Sequence, residues 1–392
     1  MSVNNSQYQK NSNTSLVAGA IWKNPGISRA EISEEFGLYR STVTNITSYL
    51  IGNGILEEGA LLASNEKGGR KATSLALVNE FGAVLGIDIQ PSGYRYMVLG
   101  MKGEALLEGA EHTGRISFLE LLDASTETGV VEVRKLGIPL LAISYSIPGT
   151  VDTPHGALLF STPLSQKEKV DVKGRIESRY GVPVLLDNDA NCISMVDLFE
   201  NRLSSSSNAL ILKSEVHEDT RDEQDPMAIG LGMGILIGGR IYRGTHYSAG
   251  EFISLSWNRR NESQSGLDEE TLLMAMSDEK AWKRWMDDTF RTIVPLLSIL
   301  DIEKLILHGT SFSDEKKMHD YLLDPNSDFS YVLGKTGTTY EIGDSDKYLC
   351  ARGAALRFLT ALYTVREVDD HTEGVEIDWD TLIERATGKR SN

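Results

Sequence analysis

Along the first fifty residues, apolar side chains recur every three or four positions, the period of a helix packed on one side. Leu16, Val17, Ala20 and Ile21 predict a helix over 14–22, stopped by Pro25-Gly26. Ala30, Ile32 and Phe36 mark the buried side of a second, short helix. Ser28 stands at its start with Glu31 three residues on, the spacing of a capping box, and Gly37 supplies the left-handed residue that ends it. In a third helix Val43, Ile46 and Leu50 share one face. Ser41, Asn45 and Ser48 fall on the opposite face, with Thr42 and Thr44 flanking and Arg40 at the entrance. Past Gly52 and Gly54 the period drops towards two. Ile55-Leu56 with Leu61-Leu62, and then Thr73 to Val78, predict a hairpin whose tip is Asn65 to Lys71.

The rest of the chain alternates strand and helix. Val84 to Ile89, Tyr94 to Leu99 and Ala105 to Leu107 read as strands joined by glycine turns, followed by a helix over 118–136. A buried strand from Pro139 to Tyr145 ends in Pro148-Gly149. A helix (Lys173 to Tyr180), a strand (Val182 to Leu186) and a helix (Asp189 to Phe199) come next. Arg202 to Asn208, with four consecutive serines, reads as a connection, after which the pattern restarts. Strand Ala209 to Lys213, an acidic loop Glu215 to Asp225, strand Met227 to Ile237 and strand Arg240 to Tyr242 lead to helices near 268–276 and 280–300. Strand Lys304 to His308 and a helix over 347–363 close the series. The alternation predicts an α/β body with a mainly parallel sheet covered on both faces.

Composition changes this picture in two places. The chain has 392 residues, enough for two or three domains, and 41% of them are apolar, so real cores are expected. No apolar run reaches the ~18 residues of a membrane helix, and the polar stretch Met1 to Asn13 is not that of a signal peptide. Cys192 and Cys350 are the only cysteines and lack metal-ligand spacing, which fits a reducing cytoplasm. The net charge of −17 is unevenly spread. Residues 1–80 balance Lys10, Lys23, Arg29, Arg40, Lys67, Arg70 and Lys71 against Glu31, Glu34, Glu35, Glu57, Glu58, Glu66 and Glu80. The acidic body is therefore no surface for nucleic acid, but the neutral N-terminal region remains open to that role. Its third helix offers small, uncharged hydrogen-bonding groups suited to base edges, and the hairpin tip offers Lys67, Arg70 and Lys71 beside two glycines for phosphates. Read alone, the helix face would be an ordinary solvated one. Three helices followed by a basic hairpin make a winged helix-turn-helix, whose partner is double-stranded DNA.

The order helix, SRAEISEEFGLYRSTVTNITSYLIGNGILEEG, GGRK hairpin and LGIDI, with Asp187-Asn188-Asp189-Ala190-Asn191 further on, resembles the transcriptional regulators of the ROK family (repressors, open reading frames and sugar kinases). The resemblance implies a winged helix-turn-helix over 1–80 and a two-lobed actin-like ATPase, or ribonuclease H-like, body. The first lobe would span 81–203 and the second 204–392, with the C-terminal helix packing back on the first lobe. One departure is Tyr39, where family members often carry a capping Ser at the recognition helix.

Further departures bear on chemistry. The resemblance places Asp189 at the kinase base, yet the family's Asp-x-Gly-Gly-Thr becomes Asp88-Ile89-Gln90-Pro91-Ser92. Both glycines are gone, and Pro91 has no N–H to donate. Gly230-Leu231-Gly232-Met233-Gly234 keeps more of a second phosphate loop, although such a series also suits a tight strand crossing. Ala249-Gly250-Glu251 is followed by Ser254 where the family's zinc His belongs, and Ser256 to Gly266 contains no cysteine, so no zinc is expected. Asn188, Asp189 and Glu251, with Glu269 by a poorer alignment, match positions that hold sugar hydroxyls in related kinases. Asn188 and Asp189 equally suit a helix cap. The expected protein is a cytoplasmic DNA-binding regulator, most simply a repressor, with no cofactor and no catalytic activity. It would sense a small sugar or sugar derivative and act as a homodimer or homotetramer. The alternatives are a sugar kinase with a fused DNA-binding domain, and a constitutive DNA binder with a vestigial pocket.

Overall fold

A computed structural model of the chain describes residues 5–61, 73–200, 207–216, 229–261, 263–365 and 377–388. The N-terminal region consists of α1 (Asn5–Lys23), α2 (Arg29–Glu35), α3 (Arg40–Gly52) and the antiparallel pair β1 (Leu56–Leu61) and β2 (Thr73–Leu77). Ser28 and Glu31 form the predicted capping box, and Gly37 closes the turn between α2 and α3 at φ +63°. Ile32, Val43 and Leu50 are fully buried. Ala30, expected inside, is exposed, and Phe36 and Ile46 are half-buried. The missing interior contact comes from Thr47, which is buried because its hydroxyl accepts from Arg29 Nε (2.8 Å) and donates to the Val43 carbonyl (2.9 Å). The hairpin tip with Lys67, Arg70 and Lys71 lies outside the described residues.

The first large sheet contains β3 (Ala83–Gln90), β4 (Gly93–Leu99), β5 (Ala105–His112), β6 (Leu140–Ile147) and β10 (Val184–Asn188). Between them lie α4 (Phe118–Leu136), a small sheet of β7 (Thr150–Asp152), β8 (Ala157–Phe160) and β9 (Val170–Asp171), and α5 (Val172–Tyr180). After β10 comes α6 (Asp189–Phe199). The second large sheet contains β11 (Ala209–Val216), β12 (Ile229–Ile237), β13 (Arg240–Ile241), β14 (Lys304–His308) and β15 (Thr339–Ile342). It is covered by α7 (Glu269–Met274), α8 (Glu279–Ile299), α9 (Glu315–Leu322) and α10 (Asp328–Thr336). The chain ends with α11 (Leu349–Tyr363) and α12 (Trp379–Thr387).

Strand order is β10-β6-β3-β4-β5 in one sheet and β13-β12-β11-β14-β15 in the other. Renumbered within each sheet, the two orders are the same, so the recurrence of elements in the sequence is a recurrence of topology. The sheets are mixed rather than mainly parallel: each begins with antiparallel pairs and continues with parallel strands reached through helices. The short glycine turns after β3 and β4 allow only a hairpin, and that decides the direction. Residue Glu215, read as loop, extends β11, and most of the acidic segment after it and the serine connection lie outside the described residues.

The helix expected to start at 14 starts at Asn5. Its polar first half faces α12, an element the hydrophobic pattern did not predict. Lys10 Nζ lies 2.7 Å from Asp380 Oδ2, and Gln7 Nε2 donates to the same oxygen (3.2 Å). The fully buried Trp379 donates through Nε1 to Ser15 Oγ (2.9 Å). On its apolar side α1 meets the body through Trp22, whose ring lies 5.1 Å from Phe199 and 4.8 Å from Tyr363 and whose Nε1 donates to the Lys102 carbonyl (3.0 Å). No helix among the described residues is long and apolar enough to cross a membrane. Trp379→Ala should cost about 3–5 kcal/mol in denaturant unfolding, since a filled aromatic site empties and Ser15 loses its partner. A loss under about 1 kcal/mol would mean that α12 does not dock on α1.

Candidate functional site

Two places gather functional groups. The first is the outer face of α3. Arg40, Ser41, Thr44, Asn45 and Ser48 are exposed and Thr42 is half-buried, so the predicted residues share one accessible surface. No acidic residue stands in the first turn, leaving the positive end of the helix uncompensated and beside Arg40. The N-cap Tyr39 makes no side-chain cap bond and is 84% exposed. Thr44 spends its hydroxyl on the Arg40 carbonyl (2.8 Å), so a base contact would come from its methyl group or a rotated hydroxyl. The inner face of α3 reaches α12, where Tyr49 Oη donates to Asp380 Oδ1 (2.6 Å). Burial would raise the Asp380 carboxyl, but Lys10, Tyr49 and Gln7 hold it below its ordinary value.

The second place is where the two large sheets face one another around the start of α6. Asn188 caps that helix, accepting from Ala190 N (2.9 Å) while its Nδ2 donates to the Gly149 carbonyl (2.9 Å). Asp189 accepts from Ala190 N through Oδ1 (2.9 Å) and from Lys213 Nζ through Oδ2 (2.6 Å). The lysine belongs to β11, on the other sheet, and also donates to Glu215 Oε2 (2.6 Å). Burial alone would strip its proton, but Asp189, Glu215 and Asp88 hold the ammonium charged, well above the usual lysine range. Glu215 Oε1 is in turn 2.9 Å from Arg95 Nη1 of β4. Asp88, fully buried on β3, accepts from Ser146 Oγ (2.8 Å) and from Gln90 Nε2 (2.7 Å) and lies 3.7 Å from Arg95 Nη1. Its burial raises the carboxyl to about 7 against the partial opposition of Lys213 and Arg95.

Beside this network stands Asp187, whose carboxylate takes Arg243 Nη2 (2.6 Å), Arg357 Nη1 and Asn191 Nδ2 (2.9 Å). Burial would raise it, but the two guanidinium groups outweigh that and lower it to about 2. Sequence reasoning passed over Lys213, Arg243 and Arg357, and quoted Asp187 without giving it a role. One signal was available: Lys213 interrupts an apolar strand run from Ala209 to Leu212, where a charge needs a partner.

The glycines of 230–234 lie within β12 rather than in a loop. A Cβ on Gly234 would stand 2.0 Å from Ser194 Oγ, and one on Gly232 would stand 3.3 Å from Ala190 Cβ and 3.7 Å from Asp189 Oδ1. They let α6 lie flush on the strand. Glu251 bridges to Gly232 and is raised above the ordinary carboxylate range by desolvation and by the charge of Asp189. Glu269 is the exposed first residue of α7, and among the described residues no hydrogen bond or ion pair joins it to Asp189 or Glu251. Where the family's zinc would sit, serines tie the loop: Ser256 N donates to Ser254 Oγ (3.0 Å) and Gly266 N to Ser256 Oγ (2.9 Å). Among the described residues no group of three or more His, Cys, Asp or Glu could hold a metal ion.

Two sheets of like topology, meeting at a helix-borne aspartate and preceded by a helix–turn–helix region, define a duplicated α/β body with an N-terminal helical region suited to DNA. Residues 84–255 match the ROK family model. The xylose repressor of Caldicellulosiruptor bescii is 27% identical over 247 residues, covering 62% of this chain and 58% of that protein. The DNA-binding transcriptional dual regulator NagC of Escherichia coli is 26% identical over 253 residues, 64% of this chain and 58% of its own. The chain thus matches about three-fifths of the length of these curated relatives. The crystal structure of a ROK family transcriptional regulator, homolog of E. coli MLC protein, shares the fold with a TM-score of 0.68 and 18% identity, over 91% of this chain and 97% of that one.

A carboxyl raised by folding favours the folded state fully below its unfolded value of about 4 and loses that advantage as pH climbs to about 7. Wild-type stability should therefore fall relative to Asp88→Asn between pH 4 and 7, on the order of 1 kcal/mol per pH unit, and run parallel to it above pH 7. Parallel curves across the whole range, from chemical denaturation at stepped pH, would show that Asp88 is not held in this way.

Proposed function

We propose that this protein is a DNA-binding transcriptional regulator of carbohydrate metabolism, acting as a repressor, whose kinase-like body senses a sugar-type effector without phosphorylating it. The observation that carries the reading is the combination of an accessible α3 face free of acidic residues with a body in which Lys213 holds the aspartate at the kinase-base position. The names of the relatives, a xylose repressor and NagC, support both halves of it. Residues 1–80 form the winged helix-turn-helix domain, 81–203 the first lobe and 204–392 the second, with the C-terminal helix packing back on the first lobe. Arg40, Ser41, Thr42, Thr44, Asn45 and Ser48 face the major groove, and Lys67, Arg70 and Lys71 hold phosphates from the wing. Asn188, Asp189 and Glu251, with Glu269 at the margin, receive the sugar hydroxyls.

The coupling runs through α12. Asp380 touches α1 and, at Tyr49, the recognition helix, while the same helix rests on the first sheet at β6. A rearrangement of the lobes around an effector shifts α12 and thereby the spacing of two recognition helices in a homodimer. Phosphoryl transfer needs backbone donors around the phosphates, and here Gln90 turns its amide onto Asp88 and Pro91 has no N–H.

Selection of bound fragments from the source genome, followed by gel shifts with the full-length protein, tests the DNA half. Asn45→Ala should flatten base preference at one position by about 1–3 kcal/mol, and Arg40→Ala should weaken all sequences alike and lower the salt slope by about one. Failure of the wild type to retain any fragment would sink the regulator reading. For the catalytic half, ATP turnover with a sugar panel should equal background and be unchanged by Asp189→Asn. Sugar phosphate that forms and then vanishes in that variant would restore the kinase reading.

A further inference from the structure

Three carboxylates and two cations meet between the sheets: Asp88 on β3, Arg95 on β4, Asp189 at the start of α6, and Lys213 and Glu215 on β11. Lys213 is 7% exposed and places its ammonium 2.6 Å from a carboxylate oxygen on either side. Arg95 spans Glu215 and Asp88 from the first sheet, at 2.9 and 3.7 Å. The five groups sum to a charge of −1 when all are ionised, and the negative charge of Asp189 is felt as far as Glu251. Both cations are thus engaged by carboxylates across the junction.

That arrangement decides what a ligand at Asn188, Asp189 and Glu251 can carry. A phosphate brings between one and two further negative charges. To gain a counter-ion it must draw Lys213 or Arg95, or the guanidinium groups that hold Asp187, away from carboxylates they already engage in a poorly solvated place, a costly exchange. Hydroxyls ask for nothing of the kind, because they donate to carboxylate lone pairs that the ion pairs leave over and disturb no charge. Glu251, raised towards its neutral form, can likewise donate to or accept from a hydroxyl, whereas a nearby phosphate has no use for a second acceptor.

We infer that this site selects an uncharged polyhydroxy ligand and rejects its phosphorylated form, and that the Lys213–Glu215 pair sets the discrimination. The inference rests on the sensing role given above to the same site. Lys213 and Glu215 act through the charge balance of the wall, as specificity-determining residues.

The test uses full-length protein bound to a labelled fragment from the genomic selection, challenged with matched pairs: D-xylose and xylose 5-phosphate, D-glucose and glucose 6-phosphate, N-acetylglucosamine and its 6-phosphate. Calorimetry on the same pairs reports direct binding. An effective pair should show release by the parent sugar and at least about 100-fold weaker action of the phosphate. Glu215→Gln removes one negative charge and should narrow that ratio by about tenfold or more, while Glu215→Asp, which keeps the charge, should preserve it. Unfolding midpoints and DNA affinity of both variants, measured without sugar, separate a specificity change from damage to the fold. A phosphorylated member that binds as well as its parent, or better, would overturn the inference and leave the sensing role standing. A ratio unchanged in Glu215→Gln would remove the Lys213–Glu215 pair as its cause. Silence of every pair in both release and calorimetry would bring down the sensing role, and the inference with it.

Discussion

The arrangement of the body depends on how closely α6 can be approached from two sides. Against β12 the approach is set by Gly234, where a Cβ would stand 2.0 Å from Ser194 Oγ. Against α11 it is set by Gly353, where a Cβ would stand 1.8 Å from the Cys192 carbonyl oxygen. Side chains at either position would force the helix away from the second sheet or from α11. Held between them, α6 presents Asn188 and Asp189 at the line where the sheets meet, and the Asp189–Lys213 contact becomes possible. Asp187, one residue before the cap, is gripped by Arg243 and Arg357, which fixes the end of β10 to the loop beyond β13 and to α11. At the far end of α6 the buried Asp197 meets His308 Nε2 (3.0 Å), joining the helix to β14. Buried ion pairs such as those of Asp187 add little net stability when complete and are expensive when half-removed, so their effect is to specify one geometry.

From that fixed centre the geometry passes outward to the N-terminal region. Helix α11 packs on β3, β4 and β6 on one side and on α1 on another. Trp22 wedges between Phe199 and Tyr363, and α12 closes the assembly by touching α1, α3 and β6. A change in the relation of the two sheets therefore has a continuous packed route to α3. Packed side chains transmit such a change because they have few alternative arrangements.

Much of this was legible in the sequence wherever local chemistry decides. The capping pair Ser28 and Glu31, the helix over 118–136 that begins at the Ser117–Glu120 capping box, and the strands around Val84, Tyr94 and Lys304 all follow from caps, turns and short-range periodicity. What the sequence hid was decided by distant partners. The polar residues Gln7 and Lys10 look like a solvated leader until α12 lies against them, 370 residues away at the Lys10–Asp380 contact. Thr47 is interior only because Arg29 satisfies its hydroxyl. The small sheet of β7, β8 and β9 escaped because strands of two to four residues carry no readable alternation. At the site, Asn188 and Asp189 could be found by their motif, but the partner that neutralises Asp189 sits 24 residues on, on a strand of the other sheet. The lysine at the end of an apolar run signals that a partner is needed, but nothing local says which.

Sensing and catalysis make opposite demands on the same aspartate, and one measurement separates them most directly. Anisotropy of a labelled operator fragment bound to the full-length protein is followed while an uncharged sugar is titrated in with and without MgATP, and the same samples are assayed for ADP. A sensor releases DNA along the same sugar curve in both cases and forms no ADP above background. Release that occurs only with MgATP and tracks the accumulation of ADP would contradict a noncatalytic sensing body.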